Sequence, residues 1–219
     1  MNARLLTVIG GGEHARVVIE AARSRPELWQ VEGFADPQPC EETQRRLDVV
    51  WLGDDTRTLS REPAARLYVV AVGAVGHDAV ANDLRAQIVE RYAAAGASFA
   101  AIVHARAFVS PTARIEDGAV VFAGAIVQSG ARIGAHAIVN TGAIAEHDVQ
   151  LGAFAHLGPG AHVGGGAVIG EHAYLGLGCR VRDHVKIGAR ALVAMGAVVT
   201  ANVDAGALVL GVPARPQAK

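Results

Sequence analysis

The chain is predicted to fold as an α/β domain on a small parallel sheet (residues 1–103), followed by a parallel β-helix of hexapeptide repeats (residues 104–219). Three observations predict this. An aliphatic or Ala residue recurs at every sixth position from Val109 to Ala205. The chain is 51% hydrophobic yet only 5% aromatic, with 26 glycines, so its apolar content is small or β-branched. The first hundred residues instead follow a strand, glycine loop, helix and strand order.

At 219 residues there is room for one large domain or two small ones. A formal net charge of -1 excludes the broad basic surface a nucleic-acid binder needs. The apolar fraction excludes a disordered chain. Cys40 and Cys179 are too few and too far apart for a disulfide framework. The first apolar run is too short for a signal peptide, and no stretch reaches the roughly 20 apolar residues of a membrane span. A cytoplasmic protein is expected.

Residues 5–9 read as a buried strand, Gly10-Gly11-Gly12 as a tight loop, and residues 15–23 as a helix with Val17, Val18 and Ala21 on its apolar side. Strands follow at 31–36 and 67–73, then a helix at 78–95. This β-α-β order implies a small Rossmann-like parallel sheet. A glycine loop before a helix presents backbone N–H groups to a phosphate. Asp36, ending the second strand, is placed for a ribose or base. Three glycines alone equally suit a plain βα turn. Ala15 stands where G-x-G-x-x-G needs its last glycine, which favours a mononucleotide or nucleotide sugar over a dinucleotide.

From Val109 to Ala205 the sixth-residue series covers 17 positions, fifteen of them Val, Ile or Leu. Four residues after each come twelve Ala, four Val and Cys179. A glycine often follows the aliphatic residue directly, as at Gly134, Gly152, Gly158, Gly164, Gly170, Gly176 and Gly188. Period 6 matches neither a helix nor an ordinary strand. It matches short inward-facing strands joined by glycine-tolerant corners, three to a coil. Seventeen hexads make close to six coils. Small or apolar outward positions such as Ala123, Gly124, Phe154 and Tyr174 suggest a homotrimer with grooves between chains.

His136, His172 and His184 share one hexad position and are expected to point outward into solvent. No two histidines stand at H-x4-H spacing, so no metal is expected. His147 alone falls two residues after an aliphatic position, between Glu146 and Asp148. A carboxylate beside an imidazole suits a general base, or equally a solvated surface ion pair. Gly164-Gly165-Gly166 strips side chains from an outer face, leaving room for a thin pantetheine arm or simply forming a wide turn.

These residues carry a resemblance. Hexads ending in Gly211-Val212-Pro213-Ala214-Arg215 look like the left-handed β-helix acyltransferases. With Gly10-Gly11-Gly12-Glu13-His14-Ala15 and Gly33-Phe34-Ala35-Asp36, the whole chain resembles the bacterial nucleotide-sugar N-acetyltransferases, including UDP-4-amino-sugar acetyltransferases; sialic-acid O-acetyltransferase-like proteins share the architecture. The resemblance implies a left-handed coil, acetyl-CoA as co-substrate and acetylation of the C4 amine of a nucleotide-linked amino (dideoxy) sugar. It implies His147 as base and Asp148, where the family usually has Glu, as its support. Asn140 then lies near the amino sugar, His156, Gly165 and Leu177 line the acetyl-CoA groove, and Gly11, Gly12, Asp36 and Gly73 hold the nucleotide. Two departures stand out: Glu13 replaces a loop glycine, and Ala74 replaces a common Asn. Active sites between subunits of the trimer are implied, without metal. The alternatives are an O-acetyltransferase acting on sialic acid or another sugar, and a non-catalytic nucleotide-sugar-binding scaffold.

Overall fold

The computed structural model describes residues 3–61, 63–73 and 79–217. They divide into two units, one running to residue 73 and resuming over 83–105, the other formed by residues 79–82 and the chain from 106 onward.

The first unit contains β1 (Arg4–Ile9), α1 (Glu13–Arg23), β2 (Trp29–Ala35), α2 (Glu41–Leu47), β3 (Trp51–Gly53), α3 (Asp55–Leu59), β4 (Leu67–Val70), α4 (Ala79–Ala94) from residue 83 on, and β5 (Ser98–Phe99). The sheet order is β3-β2-β1-β4-β5, and every pair is parallel. β1 is central, which is why Leu6, Val8 and Ile9 are all buried rather than alternating with exposed residues. α1 buries Ala15, Val18, Ile19 and Ala22, a stripe at helical spacing, whereas Val17 is exposed. It begins two residues before the expected start, because the chain turns helical directly after Gly12. β4 ends at Val70, although the Ala71 N–H still donates to the Ile9 carbonyl at 2.7 Å. Position 78, the expected start of α4, lies outside the described residues. The sequence reading omitted α2, β3, α3 and β5. They are short, and α2 buries only Thr43, so no apolar period marks it. Strand order reverses between β1 and β4, which makes the carboxyl ends of those strands the natural ligand crevice of the sheet.

The second unit is a three-faced, left-handed parallel β-helix. Each face stacks two-residue strands eighteen residues apart. Val121, Val139, Leu157, Leu175 and Val193 form one inward ladder. Val109, Val127, Ala145, Val163, Val181 and Val199 form the second. Ile115, Ile133, Leu151, Ile169 and Ile187 form the third. These narrow layers have no place for aromatic rings, which accounts for the composition.

The corner conformation sits three residues after each inward aliphatic residue. All fourteen such positions from 118 to 196 have positive φ; eight are Gly, and the others are His136, Asp148, Phe154, His172, His184 and Arg190. Asp and His tolerate this region better than most side chains. The glycines directly after the aliphatic residue do something else. A methyl at Gly152 would lie 2.7 Å from the Glu171 nitrogen on the next coil. They are close-approach glycines and not the corner residues the sequence reading took them for. Gly152→Ala therefore forces two coils apart and should lower stability by about 1–3 kcal/mol. A urea-unfolding midpoint unchanged from wild type would refute this.

Two further expectations are corrected. His136 is buried and His172 half-buried, because both stack on Phe154, with centroid distances of 5.0 and 4.9 Å. Only His184 of the three is exposed. The hexad series also ends before Ala205. After Val199 the inward place passes to Val203, which bridges to Ile187, and then to Val209, leaving Ala205 exposed in a turn.

Candidate functional site

In the first unit, the predicted nucleotide residues gather at the carboxyl ends of β1, β2 and β4. The Gly10 N–H donates to the Ala35 carbonyl at 2.7 Å. The Gly11 N–H donates to Asp36 Oδ2 at 2.8 Å, and the Gln38 N–H donates to Asp36 Oδ1 at 3.0 Å. Two of the three loop amides are thus engaged within the protein, so the run is not the open phosphate cradle expected from its sequence. Gly11 is tightly enclosed: a methyl there would come within 2.6 Å of the Phe34 ring and 2.7 Å of Cys40 Sγ. Thr43 Oγ1 donates to the Gly11 carbonyl at 2.6 Å. Gly12 differs, because the space where its side chain would be is open and it caps the N-terminus of α1. Burial and the nearby Asp36 carboxylate push the Cys40 thiol up, disfavouring a reactive thiolate.

Gly73 lies at the end of the β4 segment, where a methyl would touch the His14 ring at 3.4 Å. Burial first, and the Arg85 charge second, push His14 down to about 4. His14 therefore faces this crevice as a neutral hydrogen-bonding group. The sequence reading did not select it as a site residue; its place just after the loop, at the start of α1, was the available signal. Position 74 lies outside the described residues.

In the second unit, three groups emerge. His147 and Asp148 occupy one corner, with His147 Nδ1 3.1 Å from Asp148 Oδ2. An ionised carboxylate only accepts, so Nδ1 carries the hydrogen and Nε2 is left as the acceptor of the neutral ring. Both side chains are open to solvent, at 61% and 71% exposure. Of the two flanking carboxylates, Asp148 is the one bonded to the ring. The imidazole lies over Gly165, one coil onward, where any methyl would overlap Nε2. Gly165 is thus the floor beneath the ring.

Asn140 and His156, expected to serve different ligands, are bonded to each other. The Thr141 N–H donates to Asn140 Oδ1 at 2.8 Å, which fixes the amide orientation. Asn140 Nδ2 then donates to His156 Nε2 at 3.1 Å. His156 is buried, edge-on to Tyr174 at 5.1 Å.

Leu177 belongs to the corner that Asn140 opens, next to the corner of His147. Along that edge run Gly142, Gly160, Gly178 and Gly196, each with nothing within 4 Å of where a side chain would begin. Leu177 and Met195, eighteen residues apart, stand beside this track at 57% and 78% exposure. Met195 was absent from the sequence expectation, although its phase repeats that of Leu177. Cys179 faces inward, and burial pushes its thiol up to about 12, so it supplies no nucleophile. Among the described residues, no group of three metal-ligating side chains occurs.

The model of the PglD N-terminal domain matches residues 5–92. PerB from Caulobacter crescentus, solved in complex with CoA and GDP-perosamine, is 37% identical with a TM-score of 0.86, over 97% of each chain. The acetyltransferase domain of PglB from Neisseria gonorrhoeae, solved with acetyl coenzyme A, is 34% identical with a TM-score of 0.87, over 98% of this chain and 100% of that one. WeeI from Acinetobacter baumannii shares the fold at a TM-score of 0.82 and 22% identity, over 97% of this chain and 99% of that one. No curated protein sequence matches.

Proposed function

The chain belongs to the hexapeptide-repeat nucleotide-sugar acetyltransferases, and from that membership we propose that it moves the acetyl group of acetyl-CoA to the C4 amine of a nucleotide-linked amino sugar. The observation that carries the chemistry is the His147–Asp148 pair, with Nδ1 anchored and Nε2 free to accept a proton.

Acetyl-CoA supplies an activated thioester carbonyl. The chain's task is to deprotonate and orient the amine. His147 Nε2 accepts a proton from the amine nitrogen as its bond to the acetyl carbon forms and the carbon–sulfur bond breaks. The same proton then passes to the departing sulfur. Asp148 keeps Nδ1 protonated and stabilises the imidazolium. An amine needs no covalent relay, which agrees with the inert Cys179. The side-chain-free track through Gly142, Gly160, Gly178 and Gly196, rimmed by Leu177 and Met195, suits a thin pantetheine arm. Asn140 orients the amino sugar, its amide held by the Thr141 N–H and by His156. Gly12, Gly73 and Asp36 hold the nucleotide, and Gly11 shapes the loop.

The base and the track lie on adjacent corners of one chain. Between them runs a face whose outward residues are Phe108, Ile126, Ile144, His162, Arg180 and Val198, whereas the following face carries Arg114, Arg132, Gln150, Val168 and Lys186. A second copy packed on the first, less charged face brings the base of one chain to the track of another. This supports a homotrimer with sites between subunits. Among the described residues, no helix is long and apolar enough to cross a membrane. We extend the proposal to a cytoplasmic location, the compartment that supplies acetyl-CoA.

The test offers acetyl-CoA with GDP-, UDP- and dTDP-linked 4-amino sugars beside sialic acid, reading product by mass spectrometry and CoA release by thiol titration. Acetylation of an amino sugar is expected. Turnover of hydroxyl acceptors alone would overturn the proposal, and failure to bind acetyl-CoA would leave a binding scaffold.

A further inference from the structure

We propose that Gly130 is a positioning residue for acetyl transfer, its bare Cα forming the seat that holds the Asp148 carboxylate against His147. The inference rests on the dyad reading above and adds a residue from the preceding coil.

The argument begins with the corners. A side chain in the left-handed region folds back over the residue eighteen positions earlier. His136 lies over Gly118 in this way, His184 over Gly166, and Asp148 over Gly130. A methyl on Gly130 would overlap Asp148 Oδ1. Oδ1 therefore rests on Gly130 while Oδ2 meets His147 Nδ1. Asp148 is otherwise open to solvent, so this contact and the bond to His147 are what hold its carboxylate.

The seat is itself fastened. The Asp148 N–H donates to the Ser129 carbonyl at 2.9 Å. The Gly130 N–H donates to Thr112 Oγ1 at 3.2 Å. Thr112 Oγ1 is also 2.9 Å from Ser129 Oγ and 3.1 Å from Ser110 Oγ. This hydroxyl chain ties the 129–130 turn to the coil before it. The dyad thus has a glycine on each side along the stack, Gly130 under the carboxylate and Gly165 under the ring.

Gly130→Ala should lower kcat roughly 10–100-fold, the scale of a misplacement near 1 Å, with both KM values within about threefold of wild type. Its φ of +71° also strains an Ala, so Gly206→Ala, at φ +68° with open space around it, is the matched control. That control should keep wild-type kcat. In an Asp148→Asn background, Gly130→Ala should have no further effect, because the two act as one unit. If Gly130→Ala does not fold, Thr112→Val decides: a smaller fall in kcat is expected, again absent in the Asp148→Asn background. A kcat equal to that of the control, or a loss that adds fully to Asp148→Asn, overturns the seat. Wild-type activity in His147→Ala removes the dyad reading and the seat with it, whereas an inactive His147→Ala beside an unaffected Gly130→Ala removes the seat alone.

Discussion

His147→Ala should lower kcat about 10²–10⁴-fold, the usual worth of a positioned general base. The side chain is exposed and belongs to none of the three inward ladders, so the coils should stack as before. Far-UV circular dichroism and the thermal midpoint should match wild type. KM for either substrate should change little, because the ring's work is proton transfer. Steady-state kinetics on purified protein decide it. A kcat within a few-fold of wild type would end the assignment of His147 as base.

Gly165→Ala should cost about 10²-fold in kcat while leaving the protein as stable as wild type. Gly165 is not in the left-handed region, so an Ala there carries no backbone strain. What it carries is a methyl in the place of the His147 ring edge. The imidazole must swing aside, and displacement of a reacting group by about 1 Å has that order of effect. The substitution separates two roles. If Gly165 is the ring's floor, kcat falls and KM for acetyl-CoA stays within a few-fold. If it lines the acetyl-CoA groove instead, KM for acetyl-CoA rises and kcat holds.

The β-helix was legible because period 6 is a property of the chain itself, repeated too often to be accidental. The step from Val199 to Val203, where the small inward residue takes the aliphatic one's place, breaks the period and was not legible. Interactions between coils were not legible. Whether His136 is solvated depends on Phe154, eighteen residues away, and nothing local announces that. The corner glycines and the close-approach glycines differ in role, and that role is shown only by φ and by the backbone of the next coil. The His147–Asp148 pair could be read because its members are adjacent. The bond between Asn140 and His156 could not, since sixteen residues is neither a local spacing nor a full coil. In the first unit the loop and Asp36 were visible, but the use of Asp36 on the loop's own amide needed the sheet register.

Eighteen residues per coil also governs how this chain can change length. Removing six residues from the repeat would keep every inward rung filled, since each hexad offers a Val, Ile, Leu or Ala at the inward position. It would also rotate everything downstream by a third of a turn, and a cut between His147 and Gly165 would move Gly165 and Leu177 to other edges relative to His147. Only whole-coil gains or losses preserve both the stack and the order of groups along its outer edges. A change of eighteen keeps both the inward rungs and the contacts between coils, whereas a change of six keeps only the rungs and re-pairs the glycines and corner side chains that meet eighteen residues apart.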